Sequence, residues 1–201
     1  MNEQVIFYTH PKTRGRIARW MLEEIGQPYL TELLELGKLK GADYLAINPM
    51  GKVPAIRHRD VVVTESAAIC AYLADAFPQA GLAPAPGDAL RGTYYRWLFF
   101  AAGPIESALT NKALGFETPH GRETMAGWGT LSAVMDAMES AVSHGPYIAG
   151  YRFSAADIYF GSQIGFGLMF NSIEKRPAFE RYWQGISTRQ RPCGRARSTT
   201  H

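Results

Sequence analysis

The apolar positions divide the chain into two regions of different rhythm. Up to about Phe77, short apolar runs alternate with stretches in which apolar residues recur every three or four positions. From about Asp88 the helical rhythm takes over almost throughout. Between them lies PQAGLAPAPGD, whose Pro, Gly and Ala content marks a linker. The expected division is a first domain over 1–80, a linker over 81–88 and a helical domain over 89–201. No internal repeat or long low-complexity segment interrupts it.

In the first region, Val5 to Tyr8 reads as a buried strand. Ile17, Trp20, Met21 and Ile25 follow at helical spacing, and Gly26 is the stop. Tyr29 to Leu36 reads as a second strand. NPMGKVPAI, from Asn48 to Ile56, begins as a loop and ends as a strand. RHRD joins it as a hairpin to another strand, Val61 to Thr64. Ile69, Tyr72, Leu73, Ala76 and Phe77 give a second helical stripe. The order β-α-β then β-β-α is that of a thioredoxin-like α/β domain.

In the second region, Tyr94, Tyr95, Trp97, Leu98, Phe99 and Phe100 crowd one helix, which should lie deep or line a cleft. Thr124 to Val142 reads as one long helix. Ser154 and Asp157 have capping-box spacing, with Phe153 and Ile158 at the positions of a hydrophobic staple, so a central helix starts there.

Composition narrows the function classes. The chain has 201 residues, 46% hydrophobic and 19% charged, with a net charge of +3. That is globular composition, and it argues against disorder. No apolar run is long enough for a membrane span, and MNEQVIFYTH is not a secretory signal. Cys70 and Cys193 form no disulfide framework, Cys-x-x-Cys pair or zinc site, which fits a reducing, cytoplasmic setting. The basic residues cluster only in the tail TRQRPCGRAR, which reads as a solvated end, so nucleic acid is not an expected partner. No metal-ligand cluster is present.

Four landmarks in order carry a family resemblance: FYTHPKTRGRIARWMLEEIG, NPMGKVPAI, TESAAICAYLAD and FSAADIYF. With them the chain resembles a cytosolic glutathione S-transferase of the bacterial and fungal theta-like type, from Val5 to about Pro192. The resemblance implies a thioredoxin-like domain followed by an all-α domain, usually in a homodimer. It implies glutathione as a cosubstrate, no permanently bound cofactor and a role in detoxification.

Glutathione is an acidic peptide with a thiol, so its site needs anion pockets, a backbone template and a group that holds a thiolate. Glu65 and Ser66 open a helix, whose free N–H groups and positive end favour the γ-glutamyl carboxylate. The Glu65 carboxylate could pair with the ammonium. The resemblance implies a cis Pro54, with the Val53 backbone pairing with the cysteinyl unit as in strand addition. Lys52 is placed to meet the glycyl carboxylate, and Lys40 is a rival.

The stretch Tyr8 to Arg16 holds no Ser and no Cys. That argues against the classes that use a cysteine nucleophile. Thr13 stands where related sequences carry Ser, beside Arg14 and a helix start, and such a setting lowers a thiol pKa. Tyr8 is the rival activator, and backbone or Arg14 alone is a third option. Thr13 as a plain cap, Tyr8 as a core residue and His10 as a loop residue are the structural alternatives. Tyr94, Trp97 and Phe100 on the aromatic helix are candidates for the wall of an apolar electrophile pocket, with Phe116 and Trp128 as outliers, and Glu106 further along the same helix could face the cleft. For most of the aromatics a core role competes. Transfer of glutathione to a small hydrophobic electrophile is the expected activity. A glutathione-dependent peroxidase or dehalogenase, an isomerase, and a non-catalytic glutathione-binding or interaction protein are the alternatives.

Overall fold

A computed structural model describes residues 4–189 and 197–198. The chain divides into two compact units, one of residues 1–82 with 190–201 and one of residues 83–189.

The first unit runs β1 (Val5–Thr9), α1 (Gly15–Ile25), β2 (Tyr29–Leu33), a short α2 (Ala42–Leu45), β3 (Ala55–His58), β4 (Val61–Thr64) and α3 (Ser66–Ala76). The strand order is β4-β3-β1-β2-β5, where β5 is Arg197–Ser198. β1 and β2 are parallel, β3 is antiparallel to β1, and β3 and β4 form the expected hairpin. The helical domain was expected to run to residue 201. Instead β5 pairs in parallel with β2, which has no other outer neighbour among the described residues, so this segment joins the first sheet.

β1 lies inside the sheet and is buried on both faces. Alternation puts Val5, Phe7 and Thr9 on one face, Ile6 and Tyr8 on the other. Phe7 meets the Tyr29 ring edge-on at 6.2 Å. Ile17, Met21, Ile56, Ile69 and Leu73 are completely buried in this unit. Each such side chain contributes about 1.5–3 kcal/mol over an exposed one. The second cluster is Tyr8, Tyr44 and Ala55, with Leu34, Leu39, Ile47 and Val53 packed against it. α1 ends at Gly26, left-handed with φ 72°, where a glycine carries no Cβ penalty. β2 stops at Leu33 rather than Leu36, at the last rung shared with β1, and Leu36–Lys38 forms a single 3-10 turn.

The second unit is helical: α4 (Leu90–Phe100), α5 (Glu106–Ala113), α6 (Leu131–Val142), α7 (Ala155–Met169) and α8 (Pro177–Ser187). A π turn over Ala101–Ile105, containing Pro104, joins α4 to α5. The helix expected over Thr124–Val142 is shorter. Glu123–Met125 is a 3-10 turn, Gly129 takes φ 65°, and α6 starts only after Thr130, whose hydroxyl accepts from the Ala133 N–H at 3.2 Å.

α7 is the buried centre. Its capping box is formed, and Phe153 and Ile158 are both buried at the staple positions. Asp157 is fully buried and accepts four hydrogen bonds. They come from the Ile148 N–H (2.7 Å), the Ser154 N–H (2.8 Å), the Ser154 hydroxyl (2.9 Å) and the Tyr182 hydroxyl (2.8 Å). One carboxylate thus ties the start of α7 to the preceding loop and to α8. A Cβ at Gly161 would fall 2.1 Å from Ile186, and one at Gly165 would fall 2.6 Å from Trp183, so α8 lies close on α7 because these positions are bare.

Candidate glutathione site

The sheet register gathers the candidate residues of the first unit. Tyr8 pairs with Ala55, and Ala55 pairs with Thr64. Thr9 pairs with Leu33. The ends of β1, β2 and β4 and the start of β3 therefore share one end of the sheet. Thr9–His10, Val53–Pro54 and Glu65–Ser66 lie just past that row.

The Val53–Pro54 bond is cis. Val53 precedes β3, and its backbone N–H and C=O make no hydrogen bond among the described residues. The preceding loop is held by side chains. The Tyr44 hydroxyl and the Asn48 amide both donate to the Lys52 carbonyl, at 2.7 and 2.8 Å. Asn48 Oδ1 accepts from the Met50 N–H at 3.0 Å. The Lys40 ammonium donates to the Met50 carbonyl at 2.7 Å. Lys40 is therefore engaged in shaping the loop, whereas Lys52 is exposed and makes no ion pair among the described residues. Burial pushes the Tyr44 hydroxyl up to about 12, against the Asn48 hydrogen bond and with Tyr8 adding to the rise, so it stays a neutral donor.

Glu65 has φ 64° and ψ 122°. A non-glycine residue there costs on the order of 1–3 kcal/mol, and such strain concentrates at functional positions. Ser66 begins α3 and is buried, while the Glu65 side chain is exposed. The first N–H groups of an eleven-residue helix have no partner within it, so they face this end of the sheet with partial positive charge.

The two activator candidates differ in environment. The Thr13 hydroxyl donates to the His10 carbonyl at 2.7 Å and accepts from the Gly15 N–H at 3.1 Å. It closes the first turn of α1, whose entry is tight: a Cβ on Gly15 would lie 2.0 Å from Thr9 Oγ1. Arg14 follows and is exposed. Tyr8 is 7% exposed, 6.1 Å from the Tyr44 ring, with no hydrogen bond among the described residues. Burial raises its hydroxyl pKa, opposed by Arg57 and aided by Glu32, so Tyr8 too stays protonated. His10 Nδ1 accepts from the Lys12 N–H at 3.2 Å, a loop role.

The aromatics expected around an electrophile pocket do not share one surface. Tyr94 is completely buried, and Trp97 packs edge-on against Phe160 at 5.7 Å, so both serve the core of the helical unit. Phe100 is half-buried and meets Trp97 at 5.4 Å. Phe116 lies beyond α5 and is 64% exposed. The periodicity located the helix but could not say which of its faces is filled by α7. Glu106 accepts from the Gln163 amide at 2.8 Å within the helical unit. Cys70 is fully buried, and burial pushes its thiol up to about 12, so it is a core residue. Cys193 lies outside the described residues. Among those described, no group of His, Cys, Asp and Glu could hold a metal ion, and no helix is long and apolar enough to cross a membrane.

The residues missed in the sequence are Tyr44 and Asn48. Asn48 stands before Pro49, a pattern that marks a turn, but only the fold shows that both side chains meet one carbonyl.

A mixed sheet with a cis-proline before β3, followed by a helical unit, is the architecture of the class that the sequence resembles. The family described as glutathione S-transferase, N-terminal domain, matches residues 15–76. The glutathione S-transferase GstA of Escherichia coli O157:H7 is 30% identical over 142 residues, covering 69% of this chain and 70% of its own. A glutathione transferase from Methylococcus capsulatus is similar in structure, with 31% identity and a TM-score of 0.76 over 92% of this chain and 93% of that one. A glutathione transferase homologue from Sulfitobacter, solved with bound glutathione, gives 26% identity and a TM-score of 0.74 over 93% and 94% of the two chains. The chain belongs to the glutathione S-transferase family.

Proposed function

We propose that the protein is a glutathione transferase that ionises the thiol of glutathione and directs it at a small hydrophobic electrophile. The observation that carries this reading is the shared sheet end: the Val53 backbone, unpaired among the described residues, the N-terminus of α3 and the entry to α1 lie around one row of paired residues. Glutathione bound to a similar protein supports the same ligand here. In this reading the γ-glutamyl carboxylate meets the start of α3 and Ser66, and its ammonium meets Glu65. The cysteinyl unit pairs with the Val53 backbone beside Pro54, and Lys52 meets the glycyl carboxylate.

The thiol lies near the start of α1. The thiol proton passes to solvent, and the positive helix end with Arg14 stabilises the sulfur anion. Thr13 donates a hydrogen bond to it by turning its proton away from His10. The thiolate then forms a bond to the electrophilic carbon, and the leaving group departs with the electron pair of the broken bond. Holding both reactants together supplies proximity, and the fixed donors supply charge stabilisation. Action as a homodimer in a reducing cytoplasm completes the reading, and sedimentation analysis checks the dimer.

Two observations favour other assignments. The Tyr8 hydroxyl makes no hydrogen bond among the described residues, whereas the Thr13 proton is held by His10, which favours Tyr8 as the donor. The same engagement of Thr13 favours a glutathione-binding protein that does not activate the thiol. The test is conjugation of glutathione to a chloronitroarene by wild type, Thr13→Ala and Tyr8→Phe. Turnover that falls about tenfold or more in Thr13→Ala alone supports the proposal. The same loss in Tyr8→Phe alone transfers the role. Glutathione binding without turnover of this substrate, an organic hydroperoxide or a haloalkane leaves the non-catalytic reading.

A further inference from the structure

The loop before β3 is fastened at one atom. The Lys52 carbonyl accepts from Tyr44 at 2.7 Å and from Asn48 at 2.8 Å, which uses both of its lone pairs. That carbonyl belongs to the same peptide plane as the Val53 N–H. A peptide is planar and its N–H points opposite its C=O when trans, so fixing the oxygen aims the hydrogen. Two donors on the oxygen also polarise the amide and strengthen its N–H as a donor. No strand does this work: Val53 lies before the first ladder residue of β3, Ala55. Neither donor is free to wander. The Tyr44 ring is buried against Tyr8, and Asn48, 3% exposed, also accepts from the Met50 N–H.

We propose that Tyr44 and Asn48 are positioning residues for the thiol substrate: by clamping the Lys52 carbonyl they aim the Val53 N–H at the cysteinyl carbonyl of glutathione. This rests on the reading of Val53 as the glutathione template. The clamp touches no substrate. It sets the direction and donor strength of the one amide that does, so its loss weakens glutathione binding and leaves the loop folded.

The test uses the full chain as wild type, Tyr44→Phe and Asn48→Asp, titrated with reduced glutathione by calorimetry. The Val53 amide is followed by two-dimensional NMR in the same titration. Tyr44→Phe keeps the packed ring and removes only the hydroxyl. Asn48→Asp keeps the acceptor for Met50 and turns the donor into an oxygen facing Lys52. The expected loss of affinity is about five- to tenfold for Tyr44→Phe, the size of one net hydrogen bond, and larger for Asn48→Asp. The Val53 proton should shift downfield on glutathione addition in wild type and clearly less in both variants, a readout that general loosening of the fold does not produce. Wild type that binds, with both variants matching it in affinity and in the Val53 shift, overturns the clamp alone. Wild type that does not bind glutathione overturns the template reading and the clamp with it.

Discussion

Gly15→Ala adds one methyl group at the entry to α1, and the surroundings leave no space for it. The new Cβ would sit 2.0 Å from Thr9 Oγ1 and 3.2 Å from Thr13 Oγ1. Thr9 cannot swing aside easily: it is 4% exposed, β-branched and held in a strand. The start of α1 must move instead. Overpacking of this kind costs about 1–3 kcal/mol, and the better helix propensity of alanine offsets at most about 1 kcal/mol. A 2.0 Å approach puts the overpacking in the upper part of that range, about 2–3 kcal/mol, so the net loss is about 1–2 kcal/mol, which in a chain of this size lowers the melting temperature by roughly 2–8 °C. The same displacement stretches the 3.1 Å bond from the Gly15 N–H to Thr13, so thiolate stabilisation should fall with stability. The assay is urea unfolding of wild type, Gly15→Ala, Thr9→Ala and the double variant. Thr9→Ala removes the obstructing oxygen, so the double variant should regain at least half of the loss attributed to Gly15→Ala. Gly15→Ala as stable as wild type, or a purely additive double variant, would refute the steric account.

Other expectations follow from groups outside the sheet end. Asp157→Ala removes the acceptor for four hydrogen bonds in a fully buried place and should destabilise the helical unit by about 3–5 kcal/mol, read from the unfolding transition; a loss under about 1 kcal/mol would contradict its role. Cys70 should resist alkylation in the native protein at neutral pH and react on unfolding, as read by peptide mass spectrometry; native labelling would contradict its burial. Its folded pKa is raised from 9.0 to about 12, so its contribution to stability is full below about pH 9 and is lost as pH rises toward 12. Cys70→Ala should flatten stability against pH over that window, and an unchanged slope would contradict the assignment.

The fold was legible wherever local pattern and tertiary packing agree. Ile17, Trp20, Met21 and Ile25 define a face that is buried as their spacing predicts, and Gly26 ends the helix left-handed. Ser154 and Asp157 mark the start of α7 because a cap is a local arrangement. The misses are places where distant chain decides. β5 exists because β2 offers it an edge, which no property of the tail announces. Gly127 and Gly129 precede α6, but the apolar rhythm around them masks the break. At the site, NPMGKVPAI and TESAAICAYLAD identified the segments through resemblance, while the φ of Glu65 and the meeting of Tyr44, Asn48 and Lys52 are tertiary facts. Tyr94 shows the opposite limit: an aromatic in a rich helix reads equally as pocket or core until its neighbours are known.

The proposed function requires this chain to bind glutathione and to ionise its thiol at neutral pH. Ultraviolet difference spectroscopy of the purified protein, titrated with glutathione, reads both events in one experiment. A saturating thiolate band should appear, abolished in Thr13→Ala and kept in Tyr8→Phe. Saturable binding by calorimetry with no thiolate band in the wild-type protein would contradict the proposed function.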